Sequence, residues 1–158
     1  MYGNSDNVVR FTVFGDPVSK QRPRTVRNKK GYGQTAVHTY TPSKTKNQEE
    51  KIALVYRSIY GDFRFEKDVP LMMVCKFYFK IPGTLNGKYV NKVMREKMIM
   101  GEIRPLNKWD TDNLIKTVAD GGNGVIYEDD SQIVEMVASK YWSDEPRTEI
   151  FVARLDDG

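Results

Sequence analysis

Two groups of carboxylates carry the chemistry this chain is equipped for. Asp110-Thr111-Asp112 runs directly into Asn113-Leu114-Ile115-Lys116, Asp120 follows, and Glu128-Asp129-Asp130-Ser131 comes after a glycine-rich stretch. Asp110 and Asp112 flank a single residue ahead of a helix-like segment. That spacing lets both carboxylates converge near a helix N-terminus, where Asp112 is also a candidate N-cap. Asp112, Lys116 and Asp120 stand four apart and share one helical face. Taken alone, an Asp-x-Asp reads as a cap with surface ion pairs. The second cluster changes the balance, because the glycine turn before it can swing Asp129-Asp130 back beside the helix start. Four crowded carboxylates repel, and several would have to protonate. A hard divalent cation removes that conflict. Mg²⁺ takes carboxylate oxygens at ~2.0–2.1 Å and keeps several waters. With one Cys and one His in the chain, an all-oxygen site is the metal site these residues can build. Metal site and charged surface both stand as readings of the acidic residues alone. Mg²⁺ chemistry suits phosphoryl transfer, and Lys116 is placed to stabilise charge on a phosphate or orient a water.

The front of the chain supplies the opposite charge. Lys20, Arg22, Arg24, Arg27, Lys29 and Lys30 put six cations within eleven residues. Arg offers a rigid fork that fits phosphate. Tyr32, His38 and Tyr40 lie close by in the sequence, and aromatic side chains beside cations suit a nucleic-acid backbone with exposed bases. The plain alternative is a solvated basic face or a localisation patch. A basic loop beside a carboxylate metal site is the combination a metal-dependent nuclease needs, since the cations hold the polyanion that the acids would repel.

The overall balance conceals this division. The 158 residues carry a net charge of only +4. Residues 1–60 hold 11 Lys/Arg against 4 Asp/Glu, residues 61–100 hold 8 against 4, and residues 101–158 hold 6 against 13. Other function classes fall away. Cys75 has no partner for an internal disulfide and sits in an apolar run, as a small buried residue would. Zinc cages and Cys/His hydrolases lack their residues. No apolar stretch approaches the ~20 residues of a membrane span, and the N-terminus has no apolar signal core. A soluble, cytoplasmic protein with no membrane partner and no small-molecule cofactor is expected.

The elements that must position these groups belong to one domain over residues 1–158. Residues 8–14 read as a strand and residues 18–44 as a long basic loop without periodicity. Residues 43–60 read as a helix capped by Ser43 or Thr45, with Ile52, Val55, Tyr56 and Ile59 inward. Residues 70–81 alternate strongly and read as a strand. Residues 87–99 read as a lysine-rich helix with Tyr89 and Val93 inward, and 112–120 as a short helix. Residues 131–142 and 148–155 read as two antiparallel strands joined around Asp144-Glu145-Pro146. The expected class is α+β, a mixed sheet with packed helices. Trp109 is expected to be a packing anchor for the site, and His38 a loop or DNA-contact residue.

The combination of Gly15-Asp16-Pro17-Val18-Ser19-Lys20-Gln21-Arg22-Pro23-Arg24, Tyr40-Thr41-Pro42-Ser43-Lys44-Thr45, Asp110-Thr111-Asp112-Asn113-Leu114-x-Lys116-x-x-x-Asp120 and Glu128-Asp129-Asp130-Ser131-Gln132-Ile133 resembles the RusA family of Holliday junction resolvases. The likeness runs from about residue 10 to residue 154. It implies a small homodimeric, Mg²⁺-dependent endodeoxyribonuclease (Mn²⁺ as a substitute) that resolves four-way or branched DNA by paired symmetric nicks. Such proteins are common in phages and prophages. It further implies Asp110, Asp112, Lys116 and Asp130 as catalytic residues. Asp110, Asp112 and Asp130 are the implied metal ligands, with Asp129 beside them. On their charge rather than on the resemblance, Lys20, Arg22, Arg24, Arg27, Lys29 and Lys30 are expected to hold DNA. One departure is expected to matter: Gly121-Gly122 stands where family members often carry Ala-Leu, which would loosen the helix exit.

Overall fold

The alternation of the 71–80 segment organises the molecule. The computed structural model describes residues 7–30, 34–106 and 108–155, with the backbone alone at 28–30 and 34–36. Leu71, Met73, Cys75, Phe77 and Phe79 are buried along one side of β4 (Leu71–Lys80), and the residues between them are more exposed. β4 lies inside a four-stranded sheet of order β1-β8-β4-β7, with β1 Val8–Phe14, β7 Ile133–Ser143 and β8 Arg147–Arg154. β8 pairs antiparallel to both β1 and β4, whereas β7 runs parallel to β4. The register aligns Phe11, Ile150, Cys75 and Ala138 in one row and Val9, Val152, Met73 and Met136 in the next.

Two helices close this face. α1 (Ser43–Tyr60) contributes Ile52 and Tyr56, both fully buried, and α3 (Thr111–Gly122) contributes Leu114, Ile115, Val118 and Ala119. Each leucine, isoleucine or valine among them, moved fully out of water, stabilises the fold by about 1.5–3 kcal/mol. The mixed α+β class and the inward alternation of β4 therefore stand as the sequence implied. Cys75 is free and buried, and burial pushes its thiol well above the ordinary range. No helix among the described residues is long and apolar enough to cross a membrane.

Three expectations are corrected. The 18–44 segment is not all loop: Arg24–Lys30 (β2) and Gln34–Tyr40 (β3) pair as an antiparallel hairpin. Val26 and Val37 stay exposed on it, as do its other described side chains, and these show no period of a buried strand. α1 starts after Pro42 with no side-chain cap; Thr45 is buried and bonds the front loop instead. The helix expected over 87–99 is shorter. Thr84–Leu85 (β5) and Lys88–Tyr89 (β6) form a small hairpin, and α2 covers Lys92–Ile99, capped by the Asn91 side chain. Tyr89 and Val93 face outward there, and Met98 is the buried residue. β7 and β8 do run in opposite directions, as expected, and they are not neighbours in the sheet. The short turn at 144–146 carries the chain over the end of β4, and β4 inserts between them. That step needs about 10 Å, two strand spacings, which so short a turn can span.

Candidate active site

α3 is the platform. Its N-cap is Asp110, whose backbone carbonyl accepts from Leu114 N at 3.1 Å, and Asp112 lies in the first turn. The cap therefore falls on the first aspartate of the pair, not on Asp112. Both carboxylates are exposed at the helix N-terminus, where the aligned peptide dipoles favour negative charge. The approach to α3 is tied down from two sides. Lys140, on the core face of β7, donates to the carbonyls of Lys108 and Trp109 at 3.4 and 3.2 Å. Lys20 N donates to the Asn113 carbonyl at 2.9 Å. Trp109 is 49% exposed, so it is not the buried anchor the sequence suggested. It walls a cleft of about 410 Å³ together with Lys20, Lys44, Lys108 and Asp110.

The second acidic cluster is folded back onto α3, but beside Lys116 and Asp120 rather than at the helix start where the sequence placed it. Gly124 adopts φ 71°, a left-handed conformation. Its N–H donates to the Tyr127 carbonyl at 2.8 Å, and the buried Tyr127 hydroxyl donates to the Ala119 carbonyl at 2.6 Å. Asp130 N donates to Asn123 Oδ1 at 2.8 Å. The result sets the Asp130 carboxylate 3.7 Å from Lys116 Nζ, which lies 3.4 Å from Asp120 Oδ1. Burial raises the Asp130 carboxyl above its ordinary range and the adjacent Asp129 adds to this, with Lys116 opposing. Asp129 does a different job. Its Oδ1 accepts from Ser131 N at 2.9 Å and caps a one-turn 3₁₀ helix at 130–132, which holds its carboxyl low.

Gly121 and Gly122 do not loosen the helix exit. A Cβ at Gly122 would stand 2.5 Å from the Tyr127 hydroxyl, and one at Gly121 would stand 3.2 Å from the Glu49 backbone. Their bareness admits Tyr127 and lets α1 cross α3 closely.

That crossing brings in a residue the sequence reading did not single out. Glu49 Oε1 lies 2.6 Å from Lys20 Nζ, which also lies 2.8 Å from Asp120 Oδ2. Lys20 is thus drawn into the acidic site and away from the other front cations. No local signal marks Glu49, because its partner lies 29 positions away and meets it only through helix packing. Arg22, Arg24 and Arg27 are exposed at the base and along the first strand of the β2–β3 hairpin. Lys29 and Lys30 end β2, and their side chains lie outside the described residues. His38 is exposed on β3.

A family model described as "Endodeoxyribonuclease RusA" matches residues 15–153 of this chain. The chain belongs to the RusA family. The match takes in the front motif, all of α3 and the Asp129-Asp130 turn. A Bacillus subtilis (strain 168) relative, the uncharacterized protein YqaN, is 37% identical over 150 residues, covering 93% of this chain and 96% of YqaN. As a RusA-type endodeoxyribonuclease, the protein acts on DNA. The Asp130–Lys116–Asp120 grouping on α3 lies within the matched span.

Proposed function

We propose that this protein resolves four-way DNA junctions by paired symmetric nicks, as a homodimer that depends on Mg²⁺. The observation that carries the reading is Lys116 standing between Asp120 and Asp130 inside a RusA match of nearly full length. The donor chemistry fits a hard cation. Asp110, Asp112 and Asp130 offer only oxygen, and the Asp130 carboxyl is raised by burial and acidic neighbours, a stress that a divalent ion relieves. Among the described residues no three acidic, His or Cys side chains are already gathered into a metal cluster. Asp110 and Asp112 are exposed to solvent at the start of α3. Mg²⁺ held by Asp110, Asp112 and Asp130 would polarise the scissile phosphate and offset the repulsion between these acids and DNA.

The chain's own groups supply the rest. Lys116, 57% exposed at its side chain, reaches solvent from α3 and stabilises negative charge on the phosphate under attack. Arg22, Arg24 and Arg27, exposed at the hairpin, grip the DNA backbone. A two-fold dimer matches the symmetry of a four-way junction and delivers two nicks.

The test sets a synthetic four-way junction, a replication fork and a plain duplex side by side, with Mg²⁺ and with EDTA. Paired nicks on the junction, lost in EDTA and in Asp112→Asn, are expected. Equal cutting of all three substrates would replace the resolvase by a nuclease of broader range. Sedimentation of the free protein reads the dimer.

A further inference from the structure

Lys20 belongs by sequence to the run of front cations, yet its ammonium is committed elsewhere. It lies 2.6 Å from Glu49 Oε1 and 2.8 Å from Asp120 Oδ2, and its side chain is 22% exposed. Its backbone N–H is held by Asn113 of α3, and the next N–H, that of Gln21, by Thr45 of α1 at 3.2 Å. A DNA phosphate would have to displace two carboxylates already at charge-assisted hydrogen-bond distance. It would also meet the negative charge of both. A phosphate contact is therefore a poor account of Lys20.

Asp120 is shared between two lysines. Oδ2 receives Lys20 at 2.8 Å, and Oδ1 receives Lys116 only at 3.4 Å. The long second contact leaves Lys116 between Asp120 and Asp130 rather than clamped to either. Without Lys20, the Asp120 carboxylate, 18% exposed, would be left without its close counter-charge, which is costly in a partly buried position. The nearest cation is then Lys116. It would close to a tight pair on the flank of its own helix and withdraw from the phosphate. Glu49 steadies the arrangement from α1, and Gly121 makes room for that helix: a Cβ there would stand 3.2 Å from the Glu49 backbone.

We infer that Lys20, backed by Glu49, is a positioning residue of the nuclease site: by holding Asp120 it keeps Lys116 free for the scissile phosphate. The inference rests on the role given to Lys116 above.

The experiment measures single-turnover cleavage of a four-way junction in Mg²⁺, and junction affinity across a salt series in EDTA. The variants are Lys20→Ala, Lys20→Arg and Glu49→Gln, each made in the wild type and in Lys116→Ala. Lys20→Ala should slow cleavage about 10- to 100-fold, the scale of a misplaced catalytic group. Affinity and salt slope should stay at the wild-type values, and Lys20→Arg should recover part of the rate. In the Lys116→Ala background the same change should cost less than about twofold, because a residue acting through Lys116 has nothing left to act on. Weaker binding with a shallower salt slope would make Lys20 a DNA contact and overturn the inference. An equal loss in both backgrounds would make it a general structural pair and do the same. Where Lys20→Ala fails to fold, Glu49→Gln is read by the same criteria with a smaller loss. If Lys116→Ala alone cuts at the wild-type rate, the functional reading fails with the inference, an outcome told apart because no Lys20 variant is needed to see it.

Discussion

Lys116 and Asp130 meet at 3.7 Å only because the chain doubles back after α3. Lys116 projects from the second turn of that helix. Asp130 is returned to it by the left-handed Gly124, the Tyr127–Ala119 hydrogen bond and the Asn123 side chain holding Asp130 N. The site is thus a helix and the turn that folds against it, with the front loop laid across as a third side.

The two adjacent aspartates of that turn should separate cleanly on substitution. Asp130 faces Lys116, whereas Asp129 spends its carboxylate capping the one-turn helix after it. Asp130→Asn is expected to lower single-turnover cleavage about 100- to 1000-fold, the scale seen when a charge-stabilising group is removed from a reacting centre. Asp129→Ala should keep the rate within several-fold and instead lower stability slightly, as loss of an N-cap does. Rates and denaturant midpoints for the two variants decide this.

The exposed arginines at the β2–β3 hairpin should account for a share of the salt dependence of binding. Arg22, Arg24 and Arg27 point to solvent, while Lys20 does not join them. Replacing the three arginines by alanine should weaken binding of junction and duplex alike. It should also flatten the log–log salt slope by roughly 0.9 for each duplex phosphate that is no longer neutralised. An unchanged slope in a fluorescence anisotropy titration would take the hairpin off the DNA path.

Much of this was legible beforehand. The Asp-x-Asp-Asn-Leu-x-Lys spacing placed the helix and its lysine, and the glycine turn implied the return of Asp130, because both are local. The β2–β3 hairpin was not legible, since Val26 and Val37 remain exposed and its described side chains carry no buried period. The insertion of β4 between β7 and β8 depends on pairings far apart in the chain. Lys20 looked like its arginine neighbours, and only the crossing of α1 over α3 distinguishes it.

Lys20 and Asp120 also make a pH prediction. Burial opposes the charge on both groups, but their mutual contact outweighs it, helped by Glu49 at Lys20 and by Lys116 at Asp120. Asp120 therefore titrates below its ordinary 3.8 and Lys20 above its ordinary 10.5. A lowered carboxyl stabilises the fold above its ordinary value and loses that contribution as pH falls through the lowered one. A raised lysine stabilises below its ordinary value and loses its contribution as pH rises through the raised one. The Tm difference between wild type and Lys20→Ala, measured in EDTA, should be flat between about pH 5 and pH 9. It should shrink toward zero as pH falls below 3.8 or rises above 10.5. A difference that does not move at either end would mean the pair contributes nothing measurable to stability.

The glycine that ends α3 and the glycine two residues on should both resist a methyl group, for different reasons. At Gly122 an added Cβ would lie 2.5 Å from the Tyr127 hydroxyl and 2.7 Å from its ring carbon. Tyr127 is fully buried and bonded to the Ala119 carbonyl, so it has nowhere to go. Gly122→Ala should therefore destabilise by about 1–3 kcal/mol, as overpacking does. It should also slow cleavage, because Tyr127 leads directly into the Asp129-Asp130 turn. Gly124 has nothing near its missing Cβ, but its φ of 71° is left-handed. Gly124→Ala should cost about 1–2 kcal/mol of backbone strain, and Gly124→Asn less, because asparagine tolerates that conformation. Urea midpoints at unchanged m-value distinguish the cases. Asparagine should recover stability at 124 and not at 122, since the obstacle at 124 is a dihedral angle and at 122 a neighbouring ring.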